Sequence, residues 1–118
     1  MKLLLLVFSM LFSVIGDNPL LGRWETKPSV NGVVTGIVFK GDGKLEAYVN
    51  KKPFVSGVYT FNPKDSTLIF SDNGCDGATG IYKIVFYSNS DSFSVRAISD
   101  TCIERKKGME RLVMGRTK

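Results

Sequence analysis

The sequence predicts an all-β fold in which eight antiparallel strands run up and down and close into a barrel. Three observations lead there. After Gly22 no segment sustains the 3.6-residue period of an amphipathic helix, while β-branched and aromatic residues alternate with polar ones. Most connections between the alternating segments are hairpin-sized and carry Gly, Asn, Asp or Pro where tight turns need them. A chain of 118 residues has room for one core, and eight hairpin-linked strands leave two bare edges unless the sheet closes. A two-sheet sandwich is the alternative arrangement.

The chain begins with Met1-Lys2, then an apolar run from Leu3 to Ile15 broken only by Ser9 and Ser13, and Gly16 offers a permissive residue for cleavage before Asp17. Residues 1–16 are therefore expected to be a secretory signal peptide and residues 17–118 the folded domain. A membrane anchor is the competing reading, but the run is shorter than the ~20 residues that a helix needs to cross a bilayer. The strands expected beyond it are 22–27, 33–40, 44–50, 55–62, 67–71, 80–87, 92–98 and 109–116, with tight connections at 41–43, 51–54, 63–66 and 88–91. Alternation turns Val33, Thr35, Ile37 and Phe39 inward, then Leu45, Ala47 and Val49, then Tyr59 and Phe61 with Leu68 and Phe70. Along the last three strands it selects Tyr82, Ile84 and Phe86, then Phe93, Val95 and Ala97, then Leu112 and Met114.

Export places Cys75 and Cys102 in an oxidising compartment, where an even count in a small domain points to a bridge; two buried free thiols are the alternative. A hairpin centred between Asn89 and Ser90 pairs positions summing to 179, which leaves the two cysteines two residues out of register, a gap that loops absorb. Closing that loop adds roughly 3 to 4 kcal/mol in the chain-entropy model.

The chain has 16 basic and 11 acidic residues and no His. Lys2 leaves with the leader, and the rest of the excess sits after residue 103, where Arg105, Lys106, Lys107, Arg111, Arg116 and Lys118 outnumber Glu104 and Glu110. So local a patch, without stacking aromatics and on an exported chain, argues against a nucleic-acid partner. Without His, the usual zinc donors and the Ser-His-Asp and Cys-His nucleophile arrangements are missing, and no calcium loop is present. No metal, cofactor or catalytic residue is expected.

Gly22-Arg23-Trp24 opens the first strand, a meander follows, and Arg116 stands in the eighth strand. This combination resembles the lipocalin family and the wider calycin superfamily across the mature chain, and implies a barrel of lipocalin-like type. It also implies that Trp24 plugs one end and that Arg116 stacks on its indole, so that Gly22, Trp24 and Arg116 are structural. An ordinary core tryptophan would equally account for Trp24 taken alone. The chain departs from the family in its shortness, in leaving no room for a helix after the last strand, and in carrying Ser88-Asn89-Ser90-Asp91 where Thr-Asp-Tyr is expected. It is similar to a small bacterial-type lipocalin-like domain.

If the first strand starts at the closed end, segments 28–32, 51–54, 72–79 and 99–108 ring the mouth. Lys27, Lys51, Lys52, Arg105, Lys106 and Lys107 then gather on the rim against Asp72, Asp76, Asp100 and Glu104. An apolar lining under a basic rim suits a small hydrophobic or amphiphilic ligand with an anionic head. The expected binding residues are Phe39, Val49, Tyr59, Phe70, Tyr82 and Phe93 in the lining, and Lys51 and Arg105 at the rim. Alternatively, seven interior aromatics fill the barrel, and segments 28–32 and 72–79 make it a protein-binding module such as a protease or lysozyme inhibitor. Catalysis ranks third: its candidates Asp72, Asp76, Asp100 and Glu104 read as turn-capping residues, so no enzyme is expected. The expected form is a secreted or periplasmic monomer with no membrane span.

Overall fold

A computed structural model describes residues 18–117; the expected leader lies outside them. The strands are β1 (Gly22–Glu25), β2 (Thr35–Phe39), β3 (Lys44–Val49), β4 (Lys52–Asn62), β5 (Thr67–Asp72), β6 (Thr79–Tyr87), β7 (Ser92–Asp100) and β8 (Val113–Arg116). They close in chain order into a barrel of antiparallel neighbours, as the alternation predicts, and do not split into a sandwich. Closure is brief: β1 and β8 pair only at Trp24 with Arg116 and Glu25 with Gly115.

Turn chemistry sets the register. Asn50 and Lys51 both have positive φ, the backbone of a two-residue turn that matches the twist of its flanking strands. That turn lets β4 start at Lys52 rather than Val55, and a bulge at Phe54 absorbs the difference, pairing Ala47 with Val55 but Tyr48 with Pro53. Proline is tolerated there because the ladder is already interrupted. Between β6 and β7 the pairs sum to 179 from Tyr87–Ser92 to Tyr82–Ala97; a second bulge then pairs Ile81 with Ser99.

Three expectations need correction. Val33 was expected to point inward from β2, but Ser29 takes its N–H and C=O into a local turn, so the strand starts at Thr35 and Val33 is exposed. Residues 99–108 were expected to be a loop and 109–112 the start of the last strand. Instead α1 (Ile103–Glu110) forms, and β8 is half the expected length. Helix formers Glu104, Arg105, Lys106 and Lys107 drive it, with Glu104 in its first turn and Lys107 in its last, each complementing the helix dipole. The sequence hides this helix because the face it turns to the barrel carries Glu104, Arg105, Gly108 and Met109, which is not an apolar stripe.

The core is packed most tightly at the end where β1 begins. Trp24 is fully buried, edge-on to Phe93 at 4.7 Å, with Phe86 at 6.4 Å and Phe61 next to Phe86. Its indole N–H donates to the Leu20 carbonyl at 2.8 Å, which folds 18–21 under the barrel as a plug. Arg116 lies 4.2 Å above the indole centroid and donates to the carbonyls of Pro19, Leu21 and Ser90. The turn it holds has three successive left-handed residues, Ser88, Asn89 and Ser90, a conformation uncommon outside glycine.

Gly57 sits at a barrel corner, paired with Leu45 on one side and Asp72 on the other. A Cβ there would overlap the Ser71 carbonyl oxygen, backbone that cannot move without breaking the β4–β5 ladder. Gly57→Ala is expected to cost at least about 2 kcal/mol. Urea unfolding checks this; a midpoint equal to that of the parent chain would show that the corner is not close-packed.

Candidate functional site

The half of the barrel away from Trp24 is hollow. A half-enclosed cavity of about 400 Å³ lies between the inner faces of β2 to β5 and the underside of α1. Its walls are apolar, with Ile37, Phe39, Leu45, Val49, Leu68 and Phe70 among them. Polar groups concentrate at one end, where Asp72, Glu104 and Arg105 border it beside the Cys75–Cys102 bridge. The bridge forms as expected, with its Cα atoms 6.1 Å apart.

Arg105 is placed differently from its expected position on the rim. Its side chain is 8% exposed and Asp100's is completely buried. The Nε and Nη2 atoms donate to the two oxygens of Asp100 at 2.8 and 2.9 Å, and Nη2 also donates to the Ala78 carbonyl at 2.9 Å. The guanidinium lies 4.9 Å from the centre of the Phe70 ring. Its third nitrogen, Nη1, is 3.5 Å from Asp72 Oδ2 and makes no hydrogen bond among the described residues. The Tyr82 hydroxyl donates to Asp100, and the Cys102 N–H caps the same carboxylate at 2.9 Å. Gly80 leaves room for this cluster: a Cβ there would press on Tyr82, Asp100 and Arg105.

These contacts set the protonation states. Burial pushes the Asp100 carboxyl up, but hydrogen bonds from Arg105, Tyr82 and the Cys102 N–H outweigh it and hold the group below its ordinary value. Burial, then the hydrogen bond to Asp100, raises the Tyr82 phenol well above the usual tyrosine range. The bond to Asp100 raises Arg105 further. The cluster therefore holds one cation against two aspartates, and Arg105 is already neutralised before any ligand arrives. On the outer wall, Tyr48 donates to Glu25 at 2.6 Å and covers Gly36; burial and that bond push its phenol up to about 12.

Of the residues expected to bind a ligand, Phe39, Val49, Phe70 and Arg105 border the cavity. The others are elsewhere. Tyr59 packs edge-on to Phe39 toward the plugged end, its hydroxyl donating to the Lys40 carbonyl at 2.7 Å; Phe93 lies against Trp24; Tyr82 is enclosed behind Phe70, stacked on it at 5.6 Å. Lys51 is exposed at the β3–β4 turn and borders a groove on the outer face instead. Sequence reasoning missed Asp72 as a buried group and Met109 as a cavity residue carried by α1; Leu112, expected inward, does border the cavity, from the connection after the helix. The spacing of Glu104, Arg105, Gly108 and Met109 is the one signal for Met109, since these positions share a helix face. No helix among the described residues is long and apolar enough to cross a membrane.

No family model matches the chain, and no curated protein does. An NMR structure of a protein from Bacteroides uniformis is similar, with a TM-score of 0.57 and 18% identity over 85% of this chain and 90% of that one. At that identity the likeness concerns the fold alone.

Removing one partner of a buried ion pair leaves the other charge uncompensated, so Asp100→Asn is expected to cost about 3 kcal/mol, part of it recovered when Arg105→Met is added. Chemical denaturation of the two single variants and the double variant checks this, and additive losses would refute the coupling. Asp100 sits low in the folded state, so its contribution is complete above about pH 4 and falls away as the pH drops below that, toward its folded value. Tyr82 sits high, so its contribution is complete below about pH 10 and is lost as the pH rises past it. A thermal midpoint measured across pH should fall on both flanks, and Tyr82→Phe should flatten the alkaline one.

Proposed function

We propose that the protein is a lipocalin-like carrier that binds one small, largely apolar molecule in the cavity at the mouth of the barrel. The observation that carries this reading is the hollow itself: aromatic side chains pack the Trp24 end, yet about 400 Å³ remains open at the other, within the range of small-molecule pockets. An apolar wall with polar groups at one end orients an amphiphile.

The head group favoured is uncharged. Arg105 is spoken for by Asp100, and Asp72 and Glu104 add negative charge around it, so a free carboxylate would meet more repulsion than attraction. Among the described residues Arg105 Nη1 is a donor without a hydrogen-bond partner, and Asp72 Oδ2 lies beside it. A hydroxyl or primary amide, which both accepts and donates, complements that pair.

Native mass spectrometry of the exported protein, alone and after incubation with dodecanol or dodecanoate, tests this reading. One bound molecule of dodecanol is expected, with dodecanoate binding more weakly. Ala47→Phe puts a ring into the cavity and should reduce uptake by at least about tenfold while preserving the far-UV spectrum. A bare mass under every condition would mean that the cavity is not a binding site.

A further inference from the structure

Ten large apolar side chains are exposed among the described residues, and four of them, Val30, Val33, Phe54 and Ile103, stand on segments that ring the mouth. Val30 is fully exposed at the tip of the β1–β2 arm, and Ile103 opens α1 beside the bridge. Phe54 is 69% exposed and also borders the cavity, so apolar surface runs from inside the barrel out onto its rim. The plugged end exposes Leu21 and Tyr87, and the Tyr87 hydroxyl is already hydrogen-bonded to Ser94.

Charge divides the same way. Lys27, Lys51, Lys52, Lys106 and Lys107 lie on the mouth segments, and none forms an ion pair among the described residues. The exposed acids there are Asp76, Glu104 and Glu110, because Asp72 and Asp100 are buried against Arg105. At the other end Lys40 pairs with Glu46 and Arg116 with Asp91. Lys44 and Lys64 are exposed there too, without an ion pair among the described residues, but Asp42, Asp65 and Asp91 stand with them, so the excess of positive charge and the apolar tips coincide at the mouth.

We propose that the rim docks on an anionic lipid surface, with Val30, Phe54 and Ile103 entering the boundary between headgroups and acyl chains and the lysines lying over the headgroups. Scattered exposed apolar residues are ordinary on any protein; their coincidence with free lysines around one opening selects this partner. A protein interface would be depleted of lysine at its centre and anchored by Trp, Tyr or Arg, whereas lysine beside Phe and aliphatic residues is what lipid interfaces favour. Docking in this pose turns the cavity toward the membrane. It requires the rim alone and holds whether or not the cavity takes a ligand.

Co-sedimentation with vesicles tests it, using the exported protein with its N-terminus established by mass and the same chain carrying rim substitutions. Vesicles of phosphatidylcholine with phosphatidylglycerol as one third should bind the protein, phosphatidylcholine alone should bind it far less, and added salt should release it. Reversing two charges in Lys51→Glu/Lys52→Glu should weaken binding by at least about tenfold. Phe54→Ser should weaken it several-fold, and Lys64→Glu, at the plugged end, should leave it unchanged. All these positions are exposed, so an unaltered thermal midpoint separates lost docking from lost folding. No binding to the anionic vesicles would overturn the proposal. So would equal loss with Lys64→Glu, which would mean net charge alone, or retention on a soluble polyanion or protein without any on vesicles.

Discussion

The Arg105 guanidinium is the contact on which the mouth of this barrel depends. Helix α1 buries no apolar side chain fully and has no apolar stripe by which to dock. Arg105 does that work through Asp100 on β7, the Ala78 carbonyl before β6, Asp72 at the end of β5, and the face of Phe70. Hydrogen bonds from a planar fork are directional, so they fix the orientation of α1 as well as its position. The Cys75–Cys102 bond ties the chain just before the helix to the β5–β6 loop and keeps the same elements together covalently. The cavity exists because α1 is held across the mouth instead of collapsing into it.

The two ends of the barrel solve opposite problems. At one end Trp24, Phe61, Phe86 and Phe93 exclude all space, and Leu20 closes beneath them. Arg116 satisfies three carbonyls of the plug and of the left-handed 88–90 turn, so a segment with little regular structure is fixed by one side chain. At the other end the inward residues include Ala47 and Val49, which are too small to meet across the lumen. Aromatic packing concentrates at the Trp24 end, while the open end carries the polar cluster, the bridge and the exposed rim.

Much of this was legible in the chain. Period-two alternation identified nearly every inward residue because strand geometry sends successive side chains to opposite faces whatever the sheet packs against. The stacking of Arg116 on Trp24 followed from the resemblance carried by Gly22-Arg23-Trp24, and the bridge from cysteine count and register. What misled the reading was local chemistry that competes with the strand: Ser29 capturing Val33, and a run of charged helix formers between two strands.

The strand order, the inward faces and the cysteine pair were determined by the sequence itself, since each rests on spacing along the chain. The tertiary structure decided where the interior is full and where it is empty, because that depends on how seven aromatics distribute along the barrel axis after bulges at Phe54 and Ile98 shift the register. It also decided that Arg105 is buried and paired while its neighbours Lys106 and Lys107 form no ion pair among the described residues. Nothing in a row of basic residues distinguishes one from the next until a helix turns a single one of them toward two carboxylates at the ends of distant strands.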